Sequence, residues 1–159
     1  MGEDFHSEEV FATSETIENA VGIIIVSHAD LGSALLSAAE FIQGPRFDCC
    51  AVSINTDHDV SDTVKRLCDA ADRLDQGAGV LILTDMFGGN PTNIALSLLG
   101  KHNLEVVTGV NLPMLLKVFE SRGLPLDALA ETARKAGQDG IVVAGRMLAR
   151  PRKKQDHHA

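Results

Sequence analysis

Several residue types and motifs are scarce or missing in this 159-residue sequence, which contains no Trp, no Tyr and only 4% aromatic residues. Its three cysteines, Cys49, Cys50 and Cys68, are an odd number without Cys-x-x-Cys spacing. This excludes a disulfide framework, a zinc knuckle and a redox pair, and predicts buried thiols in a reducing compartment. No apolar run is long enough to span a bilayer, and no signal-peptide pattern opens the chain, so we predict a cytoplasmic location.

Positive charge is also scarce, with 14 Lys and Arg against 22 Asp and Glu and a net charge of −8. Nucleic acid is therefore not expected as a partner, because phosphate binding needs a basic face. The short basic stretch from Arg150 to Lys154 is interpreted as a solvated tail rather than a binding patch.

Motifs for common cofactors are missing too. There is no G-x-G-x-x-G, no Walker loop and no nucleophile elbow, so no cofactor is expected. Asp57-His58-Asp59 has no matching ligand cluster elsewhere, and we interpret it as a capped turn rather than a metal site.

Hydrophobic residues make up 45% of the chain, which is typical of one packed domain. The expected organisation is an acidic N-terminal arm at 1–19, an α/β domain at 20–147 and a polar C-terminal tail at 148–159.

Strand and helix patterns alternate along the domain. Apolar runs predict strands at 21–27, 50–54, 80–84 and 104–108, with a short fifth strand at Ile141 to Ala144. Helices are predicted at 33–43 with Ser33 as cap, from a Ser61 cap to Gly77, at 92–99, from about Pro113, and at 126–136 with Gly137 as stop. This alternation predicts a single-domain α/β fold with a parallel sheet and flanking helices.

Three polar residues follow predicted strands directly: His28 after the first, Asp85 after the third and Asn111 after the fourth. Functional sites of parallel α/β sheets lie beyond the carboxyl ends of the strands, at a switch point in strand order. We therefore expect the turns that carry His28 and Asp85 to meet.

Each of these two residues has an ordinary interpretation as well, His28 as a polar surface residue and Asp85 as a turn cap. In the functional interpretation, Asp85 holds one ring nitrogen of His28 and leaves the other nucleophilic. A helix that begins just after His28 favours an anion, which suits phosphoryl transfer.

Met86 and Phe87 stand in the turn after Asp85. They are either core residues or an exposed apolar patch on which a protein donor docks beside the nucleophile.

Three blocks of sequence resemble the IIA domain of the mannose class of the bacterial phosphoenolpyruvate-dependent phosphotransferase system. They are Ser27-His28 with Ala29 and Leu31, the segment from Leu83 to Asn93, and the segment from Val107 to Leu115. The resemblance covers about residues 21 to 147.

The resemblance implies roles for individual residues. His28 matches the phosphorylated histidine and Asp85 its carboxylate partner. Thr84, Gly88, Gly89 and Asn90 are expected around the phosphoryl group, and Met86, Phe87 and Asn111 where partners dock. The family commonly has a hydroxyl residue at the position of Asn90.

The resemblance also implies partners. The phosphoryl donor would be the histidine carrier protein HPr and the acceptor a IIB protein, with membrane association only indirect, through transporter subunits. Members of the family form homodimers by exchanging a C-terminal strand, here Ile141 to Ala144.

Three functional hypotheses remain open at this point. The first is a phosphocarrier for sugar uptake. The second is a regulatory binding module in which phosphorylation of the same histidine changes partner binding without sugar transport. The third, a structural domain with a vestigial site, is disfavoured because both His28 and Asp85 are present.

Overall fold

The structure, a computed structural model, describes residues 19–55 and 59–148. The elements in chain order are β1 Gly22–His28, α1 Leu31–Gln43, β2 Cys49–Ile54, α2 Val60–Leu74, β3 Val80–Thr84, α3 Asn90–Leu96, β4 Leu104–Thr108, α4 Leu112–Glu120, α5 Leu126–Asp139 and α6 Ala144–Leu148.

The four strands form one parallel sheet in the order β2-β1-β3-β4. The central strands, β1 and β3, are buried along almost their whole length, as their uninterrupted apolar sequences predict. The predicted fold class is confirmed.

Helices cover both faces of the sheet. On one face α1, α4 and α5 bury an apolar cluster that includes Ile23, Ile25, Leu81 and Leu83. On the other face α2 and α3 pack against the alternate side chains of the same strands. Because side chains alternate along a strand, each central strand contributes to both cores.

Several predicted boundaries differ from the structure. His28 is the last residue of β1 and not part of a loop, and α1 begins at Leu31, two residues before the predicted cap. Asp59, and not Ser61, caps α2. Its carboxylate accepts a hydrogen bond from the Ser61 backbone amide at 3.2 Å. Gly137 does not stop α5. It lies inside the helix, where a Cβ would come within 2.6 Å of the Met114 side chain, so the glycine permits close α4–α5 packing.

The predicted fifth strand does not form within the single chain. Residues 141–143 have no strand partner among the described residues, and Ala144 begins α6. Ile141, Val142 and Val143 are 78%, 53% and 61% exposed. A strand needs a neighbouring backbone for its hydrogen bonds, and none reaches this segment here.

The predicted N-terminal arm, apart from Asn19, lies outside the described residues, as do Asp57 and His58 and the tail beyond Leu148. The three cysteines are free thiols, each only half-buried. Burial, with Asp48 and Glu40 nearby, raises the pKa of Cys49 to about 12, so this thiol is unreactive at neutral pH.

Candidate active site

The candidate site lies where the order of strands reverses. From β1 the chain continues to β2 on one side of β1, and β3 then pairs with β1 on the other side. His28 ends β1 and Asp85 follows β3, so both stand at the carboxyl ends of adjacent central strands. This is the crevice in which open parallel sheets bind their ligands.

His28 and Asp85 form a direct pair. Asp85 Oδ2 lies 2.7 Å from Nδ1 of the His28 ring and also accepts the His28 backbone amide at 2.8 Å. The second carboxylate oxygen, Oδ1, accepts the Met86 amide at 2.9 Å. Because the Asp85 carboxylate accepts a hydrogen bond from Nδ1–H, the proton stays on Nδ1 and the neutral ring keeps its lone pair on Nε2.

Exposure differs sharply across the pair. The His28 side chain is 50% exposed and that of Asp85 only 9%. Partial burial acts to raise the pKa of Asp85, but the hydrogen bonds from His28, its charge and the Met86 amide outweigh burial and lower the pKa below its usual value. Asp85 is therefore a carboxylate at neutral pH, and the histidine is the group that an incoming molecule can reach.

The turn after His28 is held from below by Ser27. This buried hydroxyl accepts the Gly32 backbone amide at 2.7 Å, which ties the end of β1 to the first turn of α1. Ala29 adopts a positive φ of 46°, unusual for a residue with a Cβ, so the chain reverses sharply beside the ring. Sequence reasoning gave Ser27 no role, although a lone hydroxyl in an apolar strand was a signal.

Gly89 lies against the reactive edge of the imidazole. A Cβ on this residue would stand 3.0 Å from Cε1 and 3.5 Å from Nε2 of His28. Gly88 has a φ of 83°, a conformation that favours glycine, and it leads the backbone past the ring. The two glycines therefore let the loop between β3 and α3 approach His28 closely.

Two predicted site residues have other roles in the structure. The Thr84 side chain is fully buried, and its hydroxyl bonds to that of Thr92 at 2.8 Å. Thr92 in turn donates to the Met86 carbonyl at 2.5 Å. Thr84 therefore supports the loop from inside through Thr92.

Asn111 is likewise committed to structure. Its Oδ1 caps α4 by accepting the Met114 amide at 3.0 Å, and its Nδ2 donates to the Gly137 carbonyl in α5 at 3.0 Å. Both ends of the side-chain amide are therefore used, which does not favour the partner contact expected from sequence.

Met86 and Phe87 are not core residues. They are 54% and 77% exposed, and Leu31 at the start of α1 is 48% exposed. Large apolar side chains thus stand on both segments that flank His28. Asn90, the first residue of α3, is also exposed.

Within residues 19–55 and 59–148, no group of three or more His, Cys, Asp or Glu side chains is arranged to hold a metal ion. No helix in the part of the chain described here has the length and apolarity needed to cross a membrane.

If His28 is phosphorylated, as the sequence predicts, replacing Gly89 by Ala should slow that reaction at least ~10-fold, while the protein stays folded. The backbone of Gly89 is extended, so Ala is tolerated there, but its methyl group would press on the ring edge that carries Nε2. Gly123→Ala, where a Cβ meets nothing within 4 Å, is the matched control. Rates would be measured by intact mass, and equal rates in the two variants would contradict the assigned approach.

The family model described as the PTS system fructose IIA component matches residues 22–136. YadI of Escherichia coli (strain K12) is 33% identical over 103 residues, which are 64% of this chain and 70% of that protein. The mannose-specific EIIAB component of the PTS of the same strain is 28% identical over 124 residues, 76% of this chain but only 38% of that protein.

The fold agrees with these sequence matches. The mannose/sorbose specific IIA subunit of the phosphotransferase system from Enterococcus faecalis superposes with a TM-score of 0.72 at 27% identity, covering 83% of this chain and 97% of that one. With a family model that spans most of the chain and the same fold in a solved IIA subunit, this chain belongs to the EIIA-man family of phosphotransferase-system IIA components.

Proposed function

We propose that the chain is a phosphocarrier: Nε2 of His28 takes a phosphoryl group from phosphorylated HPr and passes it to a IIB protein. In the first step the P–N bond of the donor histidine breaks and a P–N bond to His28 forms. The second step repeats this exchange toward the acceptor. The observation that carries the proposal is the 2.7 Å contact between Nδ1 and Asp85, which directs the lone pair to the exposed Nε2.

The protein contributes position and charge rather than a covalent change of its own. Asp85 orients the ring and stabilises the positive charge that develops on it when Nε2 attacks phosphorus. Gly88, Gly89 and Asn90 are the proposed phosphoryl contacts, since Gly89 already lies beside Nε2 and Asn90 follows it at the exposed start of α3. A transferred phosphoryl group needs such donors around its oxygens.

The surroundings of His28 suit a protein donor. Leu31, Met86 and Phe87 offer exposed apolar area on both sides of the nucleophile. Burial of such side chains by HPr or IIB would exclude water from the transferring group. Association with a membrane would then be indirect, through the transporter subunits that IIB serves, and the chain would act in the cytoplasm.

The proposal is tested by incubating the chain with phosphoenolpyruvate, enzyme I and HPr. We expect a mass gain of one phosphoryl group that is acid-labile, that maps to His28 and that depends on HPr. Subsequent addition of a IIB protein should remove it. If the folded chain stays unmodified, the phosphocarrier role is wrong. If the chain is modified but passes its group to no IIB protein, the regulatory hypothesis replaces it.

We also propose that the chain forms a homodimer in which residues 141–144 pair with the outer edge of β4 of the partner. This edge has no neighbouring strand among the described residues, and a groove of about 450 Å³ runs between β4 and α5. The exposed apolar residues at 141–143 would supply a strand of suitable length.

The substitution Val142→Asp should shift the protein from dimer to monomer. A new carboxylate would enter a groove that already contains Glu105, Asp127 and Glu131 against a single cation, Arg134. Leu124→Asp, which adds the same charge at another exposed apolar site, is the control. Sedimentation of both variants would measure the change, and a wild-type chain that is monomeric at all concentrations would rule out the dimer.

A further inference from the structure

A second groove lies on the opposite side of the sheet, along the outer edge of β2. It has a volume of about 270 Å³ and is lined by Cys50, Ala51 and Val52 of β2 and by Arg66, Asp69 and Arg73 of α2. No strand pairs with this edge in the described ranges. The unpaired backbone groups of an open sheet edge can pair with another strand, and proteins generally cover such edges or place charged side chains on them.

The two grooves differ in charge. The β2 groove has two arginines against one aspartate, whereas the β4 groove has three carboxylates against one arginine. Arg66 and Arg73 are seven residues apart on α2 and therefore share one face of the helix. The β2 edge is thus suited to an extended segment that carries negative charge.

Residues 1–18 carry the negative charge that this edge would bind. Six of them are acidic and none is Lys or Arg: Glu3, Asp4, Glu8, Glu9, Glu15 and Glu18. Val10, Phe11 and Thr13, which favour strands, stand between the acidic residues.

The point at which this segment joins the domain favours the same edge. Ile23 is paired with Cys49, so the entering residue Val21 is level with Phe47, which lies two residues before β2 and is 86% exposed. Asn19 has a φ of 64°, a left-handed conformation typical of turns. A chain that turns there can run back beside β2.

The distances are short enough. Two strand spacings separate β1 from a strand added outside β2, about 10 Å, which about three extended residues span. The six residues of β2 then extend for about 20 Å, so residues near 11–16 would lie along the edge and residues 8–10 just beyond its end. A tethered segment also has an effective concentration in the millimolar range, above that of a free competitor.

We propose that residues 1–18 dock on their own domain as an antiparallel strand along the outer edge of β2, with acidic side chains facing Arg66 and Arg73. The occupant is therefore the N-terminal segment of the same chain, and the surface is distinct from both the His28 site and the β4 edge. This proposal does not depend on the phosphocarrier role.

The test uses the full chain with Phe11→Trp, because the protein has no other Trp or Tyr to interfere. We expect blue-shifted emission and weak quenching by acrylamide, an uncharged quencher, in the folded protein compared with the urea-unfolded protein. Adding Arg66→Glu and Arg73→Glu should raise the quenching constant several-fold, whereas Lys117→Glu, at an exposed position of α4 outside both grooves, should not. Circular dichroism would show that each variant is folded.

A rescue variant makes the test specific for charge. Changing Glu8, Glu9 and Glu15 to Lys in the Arg66→Glu, Arg73→Glu background should restore the protection of the introduced indole. The proposal is overturned if this indole is as accessible in the folded protein as in urea, or if the arginine variants leave its protection unchanged. Protection that disappears on dilution would assign the edge to a second copy of the chain and would also overturn it.

Discussion

Phosphoryl transfer to the chain should be absent in His28→Ala and about 100-fold slower in Asp85→Ala. The first variant removes the nucleophile. The second removes the carboxylate that accepts a hydrogen bond from Nδ1–H at 2.7 Å, so the ring loses its fixed tautomer and its orientation. It also loses the negative charge that stabilises the imidazolium-like product.

The appropriate control for charge alone is Asp30→Ala. Asp30 precedes α1, two residues from His28, and is exposed, but its side chain makes no capping bond to the helix. Rates should be compared at one HPr concentration by intact mass, with circular dichroism to confirm folding. An Asp30 variant as slow as the Asp85 variant would mean that general negative charge, and not the hydrogen bond, supports transfer.

The same pair predicts a pH dependence of stability. The folded-state pKa of Asp85 lies below its ordinary value, so its contribution to folding is present above that ordinary value and is lost as pH falls through the folded pKa. The difference in free energy of unfolding between wild type and Asp85→Ala should therefore be constant near neutral pH and shrink below about pH 4. Urea titrations at several pH values would measure it. A difference that grows on acidification would contradict the assigned sign.

Replacing Arg122 by Ala should lower the free energy of unfolding by about 3 kcal/mol. Arg122 is only 3% exposed and donates to the Val21 carbonyl from Nε at 3.1 Å and from Nη2 at 2.7 Å. Its Nη1 also pairs with Asp48, so one guanidinium connects the segment after α4, the start of β1 and the loop before β2. Truncation would leave a buried carbonyl without its donors and create a cavity. Asp48 is 43% exposed and can be solvated, which keeps the cost at the low end for a buried ion pair.

Arg134→Ala is the matched control for this prediction. Arg134 also pairs with a carboxylate, Glu131, but both side chains are more than half exposed. Water and salt screen such a pair, so its loss should lower the free energy of unfolding much less than the loss of Arg122. Urea unfolding of both variants gives the comparison through the transition midpoints. Equal losses would show that the buried connections of Arg122 add nothing to stability.

Some features were predictable because local patterns specify them. The bounds of β3 and β4 are as predicted, since each is a short apolar run that begins and ends at polar or glycine residues. The first turn of α1 was missed because Leu31 and Gly32 carry no capping signal, and the side chain of Asp30 makes no cap bond. Gly137 was mistaken for a helix stop because only the packed Met114 shows why glycine is needed inside α5.

The residues of the candidate site also fall into two groups: those identified from sequence and those whose contacts only the structure gives. His28 and Asp85 were identified from sequence because polar residues after buried strands occur where such folds place their sites. The expected contacts of Thr84 and Asn111 could not be judged from sequence, since hydroxyl and amide side chains serve equally well in turns, caps and binding sites. In the structure their partners are Thr92, Met114 and Gly137.

By itself the sequence determined the alternation of strands and helices, the burial of the central strands and the identity of the residue pair, because hydrophobic periodicity and turn residues act over a few positions. Only the tertiary structure decided that β1 lies between β2 and β3, which brings residues 57 positions apart within 2.7 Å. It also decided the approach of Gly89 to the ring and the connection from Arg122 to Val21, 101 residues away. Such contacts depend on which elements become neighbours when the two cores close, and no local pattern records that choice.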